Sequence, residues 1–120
     1  MAQIENERRK YPRVKGSFVI SYRIYERDDK TDISQTKDIS LGGAYITTNR
    51  KFAPGIKLLL ELRLPVEREP ARIIAKVIES NEITANLIYE TRIQFLSVDE
   101  KHKECIKQTV EYFMKRGDLR

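Results

Sequence analysis

A chain of 120 residues has room for one hydrophobic core and little beyond it. With 40% hydrophobic and 34% charged side chains it is too apolar to stay disordered. Its apolar runs, such as Leu58-Leu59-Leu60, are far too short to cross a membrane as a helix, so no membrane insertion is expected. The net charge of +5 calls for an anionic partner, and its distribution narrows the kind. Arg8, Arg9, Lys10, Arg13 and Lys15 crowd one short segment with no acid among them, whereas later signs alternate closely, as in Glu67-Arg68-Glu69. Long nucleic acid would call for a basic stripe along a folded face, while a short basic arm suits a small anionic ligand. Residues 1–13 lack the apolar stretch of a signal peptide, and the single Cys105 has no partner for an internal disulfide. A cytoplasmic location is the expectation.

The first expected strand alternates Phe18, Ile20, Tyr22 and Ile24 with Val19, Ser21, Arg23 and Tyr25, a period of two. Asp28-Asp29 marks a turn, and a second strand is expected from about Ile33 to Ile39. Gly42-Gly43 breaks the chain before a third strand over Ala44 to Thr48. Pro54-Gly55 signals another turn. After it Ile56, Leu58, Leu60, Leu62 and Leu64 share one face of a strand that Pro65 ends. Ile73, Ala75 and Val77 begin a fifth strand, and a sixth places Leu87, Tyr89, Thr91, Ile93 and Phe95 on one side. The period then changes. Ser97 reads as the N-cap of a capping box closed by Glu100. Ile106, Val110, Phe113 and Met114 form the apolar stripe of a helix from about 98 to 116, stopped at Gly117. Six short strands closed by one helix predict an all-β fold, an antiparallel β-barrel with a C-terminal α-helix.

Chemistry for catalysis is sparse. His102 and Cys105 stand one helical turn apart, but no further His or Cys completes a metal site or a triad. The expectation is that Cys105 packs under the helix and His102 lies on the surface. Gly42-Gly43 fits no phosphate-loop pattern. Neither a catalytic residue nor a metal ligand is expected.

Two segments stand out. In Arg9-Lys10-Tyr11-Pro12-Arg13, an RxxxR preceded by Arg8, Pro12 disfavours helix at Tyr11. Two guanidiniums on an extended stretch of that spacing lie about 13 Å apart. Arginine pairs with phosphate oxygens and guanine O6/N7, and it stacks on bases. In Asp38-Ile39-Ser40-Leu41-Gly42-Gly43, Asp38 and Ser40 project from one strand face. Their carboxylate and hydroxyl can accept from guanine N1–H and N2–H₂, and Gly43 permits close backbone approach.

Taken together, RxxxR followed by (D/N)xSxxG across one strand pair resembles the PilZ domain. Leu41-Gly42-Gly43-Ala44-Tyr45-Ile46, the Pro54-Gly55 turn and Arg92-Ile93-Gln94-Phe95 extend the resemblance from Arg8 to about Arg116. One position departs from it: Arg92 stands where that family usually has glycine, and alternation directs it out of the barrel.

The resemblance implies a six-stranded antiparallel PilZ-type β-barrel over residues 14–120, preceded by a flexible arm, residues 1–13, that carries RxxxR. It implies a non-catalytic receptor for cyclic di-GMP, with Arg8, Arg9, Arg13, Asp38, Ser40, Gly42 and Gly43 as ligand residues and no cofactor besides that ligand. It further implies that the arm folds over the ligand and that the signal passes to an effector protein. Arg8 directly before RxxxR goes, in that family, with an intercalated ligand pair. Two other readings compete: a PilZ-fold adaptor that works by protein contact without nucleotide, and a small basic barrel for single-stranded nucleic acid. The last would need exposed aromatics on a strand face, yet Phe18, Tyr22, Tyr89 and Phe95 fall on apolar faces.

Overall fold

The computed structural model describes residues 12–65 and 67–117. Its elements are β1 (Val14–Lys15), β2 (Val19–Ile24), β3 (Asp32–Ile39), β4 (Gly43–Thr48), β5 (Lys57–Leu62), β6 (Ala71–Thr84), β7 (Ile88–Val98) and α1 (Glu100–Lys115). Every strand pair is antiparallel. The order β3-β2-β5-β6-β7-β4 is closed into a ring by the β3–β4 pairing, so six strands form the barrel, as the sequence pattern predicts. Closure leaves most of the sheet without an exposed edge.

The two-residue β1 lies along β3 beyond the end of β2, and residues 16–18 interrupt the ladder between them. Thr36 on β3 repairs the gap with its side chain. Its hydroxyl accepts from the Phe18 N–H at 3.0 Å and donates to the Gly16 carbonyl. A Cβ on Gly16 would meet the Phe18 ring at 2.5 Å, and that ring is held edge-on by Phe113 of α1.

Alternation decides what fills the barrel. Ile20 and Tyr22 of β2, Leu58, Leu60 and Leu62 of β5, Ile73, Ala75 and Val77 of β6 and Ile93 of β7 are buried, while their neighbours face outward. Burying a Leu or Ile side chain contributes roughly 1.5–3 kcal/mol, so this alternation supplies most of the driving force. One end of the interior is polar: Thr48, Thr91 and Ser80 link hydroxyls across β4, β7 and β6 at 2.8 Å per step, and Thr48 donates on to the Arg50 carbonyl. The turns follow their residues. Ile56 N–H returns to the Ala53 carbonyl around Pro54 and Gly55, and Gly55 takes φ +92° as the third residue of a type II turn must.

Four positions differ from expectation. The helix is capped by Asp99, not Ser97: Asp99 Oδ1 accepts the His102 N–H at 2.9 Å. Ser97 and Val98 are still paired with Ile74 and Ile73 of β6, so the strand outcompetes the cap. His102 is buried on the inner face of α1 with Ile106, Thr109 and Val110, whereas Met114 turns outward. Leu87 lies in the β6–β7 turn and is exposed, because β7 begins only at Ile88 after Asn86 takes φ +60°. Gly117, at φ +82°, ends the helix by donating to the Met114 carbonyl, as anticipated.

Candidate functional site

The motif Asp38–Gly43 occupies the β3–β4 hairpin, and its local geometry follows from its residue types. Ser40 leaves the ladder and turns its hydroxyl back, accepting from the Gly42 and Gly43 N–H groups at 3.1 Å each. Its own N–H donates to the Gly43 carbonyl at 2.9 Å. Gly42 continues the seam, with its carbonyl accepting the Phe95 N–H at 2.8 Å. A Cβ on Gly43 would lie 2.1 Å from the Ile93 carbonyl oxygen, so only glycine lets β4 approach β7 here. The close approach that Gly43 permits in this structure is to the neighbouring strand.

A β-bulge between Thr36 and Asp38 makes Lys37 the extra residue and rotates Asp38 out of the inward register. The Asp38 carboxylate is fully buried and accepts the Tyr45 N–H at 3.2 Å. A carboxylate offers about four lone-pair sites, so Asp38 is able to accept from more than one donor.

Asp38 belongs to a lateral row across the outer face of the sheet. Lys15 on β1 pairs with Asp38, Asp38 with Tyr45 on β4, Tyr45 with Arg92 on β7, and Arg92 with Glu79 on β6. Tyr45 points outward because Ala44 and Ile46 on either side fill the core. Over its ring lies the Arg13 guanidinium, 4.9 Å from the centroid, a cation–π contact. Beside the row, Lys37 pairs with Glu90 at 3.0 Å, and a groove of about 890 Å³ opens between Lys15, Lys37, Gln35 and Arg116.

The structure thus brings Arg13 to the motif hairpin through Tyr45. Asp38 lies beside that pair, and Ser40, Gly42 and Gly43 form the adjacent turn. Arg8 and Arg9 lie outside the described residues, as does the expected arm apart from Pro12 and Arg13. Tyr45 is the residue that motif reading missed. The alternation of buried Ala44 and Ile46 was the signal that could have found it.

Several titratable groups away from this row serve the fold. Arg50 grips Asp29 with two bonds, 3.1 and 2.7 Å, and Asp29 also accepts the Ile24 N–H at 2.8 Å. The Arg50 bond and then that amide lower the Asp29 carboxyl to about 2. His102 and Cys105 are engaged in different directions. The His102 ring bonds Asp99 through Nδ1 at 2.6 Å, and the Cys105 thiol donates to Glu67 at 3.2 Å. That bond to Glu67, followed by burial, pushes the Cys105 thiol up, the opposite of what a nucleophile needs. Among the described residues no group of three or more His, Cys, Asp and Glu is placed to hold a metal ion, and no helix is long and apolar enough to cross a membrane.

The family model for the PilZ domain matches residues 7–112. Among solved structures, the PilZ domain of Escherichia coli YcgR with c-di-GMP superposes with a TM-score of 0.67 at 16% identity, covering 92% of this chain and 94% of that one. The Bacillus subtilis inhibitor of motility, MotI/DgrA, gives 0.70 at 18% identity, and the MrkH–c-di-GMP complex of K. pneumonia gives 0.69 at 17%. Each of these two is covered over about half its length, 51% and 53%, by 91% of this chain. No curated protein matches the sequence.

Proposed function

Because the chain belongs to the PilZ domain family, we propose that it is a non-catalytic receptor for cyclic di-GMP that passes its signal to a partner protein. One observation carries the reading: the Arg13 guanidinium is stacked on Tyr45 directly beside the buried Asp38 carboxylate, on the outer face of the motif hairpin. That arrangement supplies a cation for phosphate, flat surfaces for a purine and an acceptor for guanine N1–H and N2–H₂. In this reading Arg9 and Arg13 hold phosphate and guanine, and Asp38 reads a guanine edge. Ser40, Gly42 and Gly43 shape the turn against which that edge lies. Arg8 serves a second, stacked ligand molecule. Two neighbours of the same fold are recorded with this nucleotide, which supports the choice of ligand.

Calorimetric titration with cyclic di-GMP tests the proposal. Binding should be lost or weakened by at least tenfold in Arg9→Ala/Arg13→Ala, since a hydrogen bond to a charged group contributes about 1.5–3 kcal/mol. Unchanged binding in the double variant would refute the site. A stoichiometry near two that falls towards one in Arg8→Leu supports the stacked pair, and a ratio of one in the unmodified protein rules it out. Proteolysis at residues 8–15 should slow when nucleotide is added; equal rates would exclude closure of the arm.

The adaptor reading has its own support. Ile33, Ile83, Leu87 and Ile88 are exposed, the last three on the β6–β7 hairpin, and suit contact with a protein. A folded protein that gives no heat with cyclic di-GMP would favour that reading over the receptor.

A further inference from the structure

The row across the outer face holds one cation that the reading above does not use. Arg92 is the register partner of Tyr45, and side chains of such partners stand on one face with Cβ atoms about 4.5–5.5 Å apart. It is half-buried, yet among the described residues its guanidinium takes part in no hydrogen bond or ion pair. The acids that could neutralise it are committed elsewhere. Glu79, its register partner on β6, accepts from the Asn81 amide at 3.3 Å, and Glu90, two residues earlier on the same face of β7, pairs with Lys37 at 3.0 Å. A half-buried arginine lays its stem along the sheet and holds its guanidinium in water, so the head stays open to an anion. An anionic ligand on this face would supply a partner that the described residues do not.

We infer that Arg92 binds a phosphate of the dinucleotide, on the β7 side of Tyr45. The inference rests on the receptor reading and extends it. Tyr45 then stands between two cations, Arg13 over its ring and Arg92 across the strand pair, with Lys15 at the β1 end of the row. A cyclic dinucleotide carries its two phosphodiesters on opposite sides of one ring. Laid over Tyr45, it would turn one phosphate towards Arg13 and the other towards Arg92. Arginine suits the second position because its fork can meet two phosphate oxygens at once.

Calorimetry with cyclic di-GMP on the unmodified protein, Arg92→Gln and Arg92→Lys tests this, with thermal melting of each alongside. The expected result is a loss of affinity in Arg92→Gln of between about tenfold and a hundredfold. Its melting temperature should be unchanged, and Arg92→Lys should recover part of the affinity because it restores the charge without the fork. Binding by Arg92→Gln within twofold of the unmodified protein overturns the inference and leaves the receptor reading standing. So does a loss that comes with a lowered melting temperature and is not relieved at all in Arg92→Lys, which would mean that Arg92 acts only by shaping the sheet. No binding by the unmodified, folded protein overturns the receptor reading itself, and this inference with it.

Discussion

Replacing Gly43 with alanine separates the structural duty of the motif from its proposed role with ligand. The new methyl carbon would begin 2.1 Å from the Ile93 carbonyl oxygen, and real Cβ contacts essentially never fall below 3.0 Å. The obstacle is backbone, so it cannot swing away. β4 and β7 must part by about 0.9 Å where Gly43 pairs with Gln94 and Ala44 with Ile93. Stretching two ladder hydrogen bonds costs roughly 1 kcal/mol each, and loosening the packing of Ala44 and Ile93 adds about as much again. A total of about 3–4 kcal/mol is a large share of the 5–15 kcal/mol that a domain of this size has available. Urea unfolding followed by circular dichroism should register it as a fall in midpoint with an unchanged slope. A loss below about 1 kcal/mol would mean that the seam yields easily and that the close approach is not what demands glycine.

Three further outcomes follow from the same structure. The Asp29 carboxyl should titrate near 2 by carbon NMR and move up in Arg50→Gln. Because its folded value lies below the unfolded one, its stabilising effect is complete above about pH 4 and disappears as pH falls towards 2; a midpoint near 4 would contradict the Arg50 clamp. Cys105 should react slowly with iodoacetamide at pH 8 and faster in Glu67→Gln, which removes the carboxylate that holds the thiol proton; equal rates would show that burial alone protects it. Leu60→Ala should cost about 2–5 kcal/mol, as expected for a fully buried side chain at the centre of β5, and a cost under 1 kcal/mol would mean that the barrel repacks around it.

Much of the barrel could be read from sequence because its signals are local. Leu58, Leu60 and Leu62 alternate cleanly, and Pro54-Gly55 specifies its own turn type. The helix start was misread because Ser97 and Asp99 are both good caps. Only the pairing of Ser97 with Ile74, a contact between strands, decides between them. His102 looked like a surface residue because a polar side chain on a charged helix carries no sign of the partner, Asp99, that lets it turn inward. The residue types of the candidate site were visible as two motifs, but not the element that joins them. The stacking of Arg13 on Tyr45 and the repair of the β1–β2 gap by Thr36 depend on register, which no short stretch of sequence encodes.

The Ser40–Gly43 turn sits where the ring of strands is sewn shut, and this bears on how such a chain can change over generations. Ser40 restrains two amides, and Gly43 admits the seam at which β4 pairs with β7, the last strand. Selection for a folded barrel alone therefore holds these two positions, whether or not a nucleotide is ever bound. Arg13 carries no such duty: apart from its place on the Tyr45 ring it makes no hydrogen bond or ion pair among the described residues. On the receptor reading proposed above, a descendant that no longer bound nucleotide would lose Arg13 first and keep its serine and glycine, so Arg13 is the better record of that role.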